Sequence, residues 1–301
     1  MCNILITGGN GFLGSHIINL FLKEGYNILV ISRNNNNIEH VKDKITFIKY
    51  ESESYKIYQD TIHKFVPDIV IHSAWDGGNN YKNIDDVNQF YNNIPQSISL
   101  LEVISNMTVK PFFIGFGSFA EYGIISKHIS ELEYNTPVSY YGLSKKICKD
   151  ASQMFCYKNN IEWSWIRPCY IYGPNDVHTR LIPSTIYNLL VGNDLIFDDC
   201  DTIIDYLYID DFCSAILSII HKKTTGIINI CSGNEYKLKD IILLLQSKIN
   251  SKSTIHFDSK LNKQNVSKYI VGNNEKLKSI GWSGSIELEE GLEKTINSYM
   301  N

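Results

Sequence analysis

The chain has 301 residues, 44% of them hydrophobic and 20% charged, with a net charge of −4, enough for a full core in one large domain or one and a half. A pI near 6.1 without a basic stripe excludes the footprint of a nucleic-acid or anionic-membrane binder, and no apolar run approaches the roughly 18 residues needed to cross a bilayer. Seven cysteines without CxxC pairs or clustered histidines exclude a disulfide framework and a zinc site; with no charged leader ahead of the first strand-like run, the expectation is a reduced, cytoplasmic, soluble protein without a metal.

In chain order, Asn3 to Thr7 read as a short buried strand. Gly8-Gly9-Asn10-Gly11-Phe12-Leu13-Gly14 then leads into an amphipathic helix over Ser15 to Glu24. Strand, glycine turn and helix are the context in which such a loop holds a pyrophosphate. Gly8 permits the tight turn, Gly11 lets the backbone approach the phosphates, and Gly14 lets the helix pack on the strand, with its N-terminal N–H groups facing the charge. A second strand, Asn27 to Ile31, ends in Ser32-Arg33. An acid at that tip reads the ribose hydroxyl of NAD, whereas an arginine with small polar neighbours accommodates a 2′-phosphate; Ser32 and Arg33 therefore predict NADP(H) in preference to NAD(H). The Asn34 to Asn37 run reads as a solvated loop.

The alternation continues with a strand at 45–50, a helix at 58–65, a buried strand at 67–74, a proline-containing helix at 87–104, a strand at 112–116, a helix at 141–158 and a strand at 162–167. Strands separated by helices predict an α/β doubly wound parallel sheet, whose ligands sit beyond the carboxyl ends of the strands. That rule places Gly8, Ala74, Ser118 and Pro168 along one edge. Tyr141 and Lys145, four apart on one helix, share a face. Bringing a phenol from its ordinary pKa of about 10 to neutrality takes about 4 kcal/mol, part of which a neighbouring ammonium supplies. Such a tyrosine exchanges a proton with an oxygen, the proton half of interconverting a ketone and an alcohol.

These motifs, in order, resemble the extended short-chain dehydrogenases/reductases, which include nucleotide-sugar epimerases, dehydratases and 4-ketoreductases. The resemblance rests on the glycine loop, on Asp68 to Ala74, on Asn92-Asn93-Ile94, on Gly117-Ser118-Phe119-Ala120-Glu121-Tyr122-Gly123, on Tyr141 to Lys145, on Arg167-Pro168 through Pro174 and on Tyr206 to Asp211. It implies that Tyr141 is the acid/base, that Lys145 holds the nicotinamide ribose and keeps the phenol acidic, and that Ser118 bonds the reacting oxygen. Phe12, Leu13, Ser73, Ala74, Asn93 and Pro168 would join the glycines, Ser32 and Arg33 around the cofactor, with Asn93 bracing the site; His72 reads as a satisfied strand-end histidine. The Rossmann domain would span 1–172 plus about 203–232, and a smaller substrate lobe about 173–202 plus 233–301.

Two departures refine the expectation. Phe119-Ala120 stand where the family's dehydratases carry an acidic pair, and Glu121 is one step out of register, so dehydration is discounted. Ile204 stands where the family commonly has a diphosphate-binding arginine; Arg180 is the best remaining cation for that role, with His178 weaker, and Ser118, Phe119, Ala120 and Tyr206 would also face the substrate. The sequence thus predicts NADPH-dependent reduction of a nucleotide-linked 4-keto-6-deoxyhexose. The rival reading is a nucleotide-sugar 4-epimerase with bound NAD, and the reading of another class is a non-catalytic cofactor-binding protein. Phe90, Leu101, Met154 and Phe155 exceed what one core face of their helices needs, and the resemblance implies pairing of those helices in a homodimer.

Overall fold

The structure, a computed structural model, describes residues 2–52, 54–77, 84–134, 136–262 and 267–300. Its first half runs β1 (Asn3–Thr7), α1 (Phe12–Lys23), β2 (Asn27–Ser32), β3 (Thr46–Lys49), α2 (Gln59–Phe65), β4 (Ile69–His72), α3 (Asn88–Ser105), β5 (Phe112–Phe116), α4 (Tyr140–Lys158) and β6 (Trp163–Pro168). The second half adds β7 (Tyr170–Tyr172), α5 (Leu181–Leu190), β8 (Leu195–Phe197), β9 (Ile203–Ile204), β10 (Tyr206–Tyr208), α6 (Ile209–His221) and β11 (Gly226–Ile230). After these come β12 (Tyr236–Lys237), α7 (Leu238–Ile249), β13 (Ile255–Phe257), β14 (Tyr269–Ile270), α8 (Glu275–Ser279) and α9 (Leu288–Met300).

Seven strands form one sheet in the order β11-β6-β5-β4-β1-β2-β3, every neighbour parallel. Parallel strands need helical crossovers, which cover both faces and leave the strands without a polar side. Alternate residues accordingly enter opposite cores: Ile4 and Ile6 pack with Ile17, Ile18 and Phe21, while Leu5 packs with Leu100, Val70 and Trp165. The doubly wound sheet foreseen from the alternation is therefore present. Strand order reverses between β1 and β4, which opens a crevice above their carboxyl ends. There the backbones nearly touch. Gly8 has φ +73, and a Cβ on it would lie 2.6 Å from the Cα of Ala74.

The remaining strands build small sheets: β10 pairs with β7, β13 with β8, and β9 lies between β12 and β14. β9 thus lies outside the main sheet. Asp205, between β9 and β10, is fully buried. It accepts hydrogen bonds from the Ser232 N–H and hydroxyl and from the N–H groups of Gly233 and Gly272, tying three distant segments together. α3 and α4 pack against one another, and the structure corrects the reading of their apolar residues. Leu101 is buried and Phe155 packs against the core, whereas Met154, Tyr91 and Tyr157 face outward.

The contact at Gly8 separates two glycine effects. Gly25, φ +79 with nothing near its Cβ position, should lose only about 1 kcal/mol on Gly25→Ala, the cost of left-handed backbone. Gly8→Ala adds a clash with rigid backbone and should cost about 3 kcal/mol or more, read by urea unfolding of both variants.

Candidate active site

A continuous cleft of about 1480 Å³ runs along the strand ends from the β2 tip to the small sheets. α1 opens its cofactor side. Its N-cap, Gly11, makes no side-chain capping bond, and no acid occupies the first turn, so the positive end of the helix dipole is presented to the cleft beside Phe12, Leu13 and Gly14. Ser32, Arg33, Ser73, Ala74 and Pro168 line the same cleft. These groups fit a dinucleotide: close backbone approach at Gly8, unpaired amides for a pyrophosphate, and polar side chains at the β2 tip. Arg33 forms an ion pair with Asp76 at 2.9 Å across the mouth of this half.

The Asn34 to Asn37 run is more than a solvated loop. Asn37 donates its backbone N–H to Asn10 Oδ1 at 2.8 Å and its side-chain amide to the Asn10 carbonyl at 2.8 Å, and Asn10 also bonds Asn34. Asn34 and Asn37 consequently form cleft wall. The signal available in sequence was their position directly after the β2 tip.

The reactive groups meet at the base of the cleft. Ser118 leaves β5 as an N-cap, its hydroxyl accepting from the Ala120 N–H at 3.2 Å. Ser139 caps α4 in the same way, accepting from Gly142 N–H at 3.1 Å. The first turn of α4 lies directly on the segment after β5: a Cβ on Gly142 would stand 2.3 Å from the Ala120 carbonyl oxygen. That approach brings the Tyr141 phenol to the Ser118 hydroxyl. Burial raises the phenol above its ordinary value, against the opposing effects of the Ser118 hydrogen bond and the Arg180 charge. In the ligand-free protein burial thus works against the acidity expected of a phenol beside Lys145. Lys145, buried, donates to the Phe116 carbonyl at 2.7 Å and sits 3.5 Å from the centre of the Trp75 ring. Its burial pushes it down to about 7.

Behind these groups lie the braces. Glu121 is 2% exposed and faces away from the cleft. It closes the capping box on the Ser118 N–H, accepts from Trp165 Nε1 at 2.9 Å and pairs with Arg167 through Nε and Nη2 at 3.0 and 2.9 Å. Asn93 is buried outside the cleft wall. It accepts the Asp76 N–H at 2.6 Å and donates to the Asp76 and Gln89 carbonyls, so it shapes the loop after β4. His72 bonds Thr7 at 2.7 Å and Ser97 at 2.9 Å, and burial drives it down to about 3.

On the substrate side, Phe119, Ala120, Arg180, His178 and Tyr206 all line the cleft, as does Ile204. Arg180 opens α5, lies 5.9 Å from the Phe12 ring centre and pairs with Asp176 at 3.1 Å. Asp176, 3% exposed, is pushed up to about 6 by burial, the Arg180 charge opposing it. Among the described residues the walls carry three cations, Arg33, Lys145 and Arg180, and three carboxylates, Asp76, Asp176 and Asp198. No group of His, Cys, Asp and Glu suited to a metal occurs among the described residues.

A dinucleotide crevice with a serine, tyrosine and lysine at its base defines a nicotinamide-dependent class of protein. The model of the NAD dependent epimerase/dehydratase family matches residues 4–231, and the chain belongs to that family. A CDP-abequose synthase of Salmonella muenchen is 26% identical over 98% of this chain and 97% of its own length. A dTDP-4-dehydro-6-deoxyglucose reductase of Escherichia coli is 26% identical over 98% and 96%. A crystal structure of a UDP-glucose 4-epimerase of Thermotoga maritima with UDP-glucose has the same fold, with a TM-score of 0.88 at 24% identity over 99% of this chain and 98% of that one.

The Glu121–Arg167 pair makes a stability prediction. Glu121→Leu strands a buried guanidinium and should cost about 3–5 kcal/mol, whereas the double change Glu121→Leu, Arg167→Met should recover the part due to the stranded charge and retain the loss from the unpaired Ser118 and Trp165 N–H groups, read by chemical denaturation.

Proposed function

We propose that the protein reduces the 4-keto group of a nucleotide-linked 4-keto-6-deoxyhexose with NADPH. The observation that carries this reading is the convergence of Tyr141, Ser118 and Lys145 at the base of one cleft, with only apolar side chains at Phe119 and Ala120, where elimination would need proton carriers. A nicotinamide bound over the glycine turn supplies the hydride. Tyr141 gives its proton to the oxygen as charge develops there, and Ser118 donates a hydrogen bond to the same atom. Lys145 holds the ribose hydroxyls and favours return of a proton to the phenolate. Arg180 contacts the substrate diphosphate, exchanging Asp176 for phosphate oxygens. The segments outside the main sheet act as the substrate lobe, and the outward face of α3 and α4 packs against a second copy.

Relatives named as a synthase of a CDP-linked sugar and as a dTDP-4-keto sugar reductase support this chemistry. The rival, a 4-epimerase with retained NAD, draws on relatives of that name and on Asp76, whose carboxylate at the cleft mouth offers an acceptor for a ribose hydroxyl.

Incubation with 4-keto-6-deoxy sugar nucleotides should consume NADPH in one-to-one proportion with ketone; interconversion of sugars without net cofactor change would establish the rival instead. Tyr141→Phe should lower kcat by about 10²–10⁴-fold while leaving NADPH binding in place, and full activity in that variant removes the assignment. Arg33→Ala should raise the KM for NADPH about tenfold and leave that for NADH nearly unchanged, as expected for one charge-assisted contact to phosphate.

A further inference from the structure

Lys145 has an unusual set of neighbours. It forms no ion pair among the described residues, and its ammonium is satisfied by one backbone carbonyl, Phe116 O, and by the face of Trp75, 3.5 Å from the ring centre. The same indole meets the Tyr141 ring edge to face, with centroids 6.1 Å apart. Trp75 is itself fixed: its Nε1–H donates to Gln89 Oε1 at 2.8 Å. Gln89 is 2% exposed and receives Asn93 Nδ2 on its carbonyl at 3.1 Å, while Asn93 also holds the backbone of Asp76. A chain of contacts thus runs from α3 through Asn93, Gln89 and Trp75 to the lysine.

We propose that Trp75 is a positioning residue for the reaction, its indole face acting as the counter-group that holds the Lys145 ammonium beside Tyr141. A cation over an indole is attracted by the negative face of the ring, and the attraction grows as water is excluded. Trp75 therefore does in an apolar pocket what a carboxylate does elsewhere, without adding a negative charge beside a phenol that must remain a donor. This inference deepens the proposed reaction and rests on Lys145 serving it.

The other ionisable groups facing Lys145 leave its titration legible. His72 on β4 is driven to about 3, Cys148 on α4 is pushed up to about 11, Tyr141 is raised, and Glu121 is engaged by Arg167.

The test uses ligand-free protein first. The fluorescence difference between wild type and Trp75→Phe, followed from pH 5 to 9, should show a transition near pH 7 that Lys145→Met abolishes; a flat difference overturns the proposal. In NADPH binding, Trp75→Leu should move the pH midpoint down by about one unit, a tenfold change in proton affinity, whereas Trp75→Phe, which keeps an aromatic face, should restore most of the shift. Equal shifts in the two variants would reduce Trp75 to a wall and overturn the assignment. Should Trp75→Leu fail to fold, replacing tryptophan by 5-fluorotryptophan, which weakens the ring face at nearly constant size, should move the midpoint part of the way in wild type and not in Trp75→Phe. An unmoved midpoint overturns it. Loss of NADPH binding with the fluorescence transition intact would refute the proposed reaction and leave the contact standing; a flat fluorescence trace with NADPH binding intact would do the reverse.

Discussion

The site depends on one steric constraint, the approach of the first turn of α4 to the chain leaving β5. At Gly142 that approach is so close that a single methyl would meet the Ala120 carbonyl oxygen. Everything reactive is referred to this contact. Ser118 is held by its own N-capping geometry, with Glu121 closing the box from behind, and Tyr141 is carried to it by a helix that a side chain at position 142 would push away. Lys145, one turn along, reaches back to Phe116 on the strand from which Ser118 emerges. Helix and strand end thus hold each other at two points, one a backbone contact at Gly142 and the other the buried Lys145 side chain, and together they fix where Tyr141 and Ser118 stand.

Polar groups that would be costly if orphaned support this arrangement. Glu121 spends one oxygen on the Ser118 amide and Trp165, and the other on Arg167, so the segment that presents Ser118 cannot rotate without uncovering a buried charge. Asp205 plays a comparable part on the substrate side. Its four hydrogen bonds fix the chain between Ile204 and Tyr206, both of which line the cleft. Neither carboxylate needs to touch a ligand to matter.

Most of the main sheet was legible in the sequence because its signals are local. Buried parallel strands read as short apolar runs, and the bounds of β1 and β5 agree with the reading residue for residue. The glycine loop and the Tyr141–Lys145 pair were legible as spaced motifs, and Ser118 only through the family resemblance. What escaped was contact between segments remote in sequence. Nothing in the composition of Asn34 to Asn37 indicates that it folds onto Asn10, and no periodicity shows that Trp75 crosses to Lys145. Leu101 and Phe155 looked surplus because one helix face was imagined against one layer, whereas α3 and α4 also bury apolar groups against each other. The burial that raises the Tyr141 phenol is likewise a property of the finished fold and of no local spacing.

The equal numbers of cations and carboxylates along the described cleft walls bear on how a ligand arrives. Arg33 and Arg180 are each already paired with a carboxylate, Asp76 and Asp176, so an anionic ligand meets local pairs to be exchanged, not a cationic wall, on a chain whose net charge is −4. Selection is then deferred to short range, after water has left, where shape and individually satisfied hydrogen bonds discriminate.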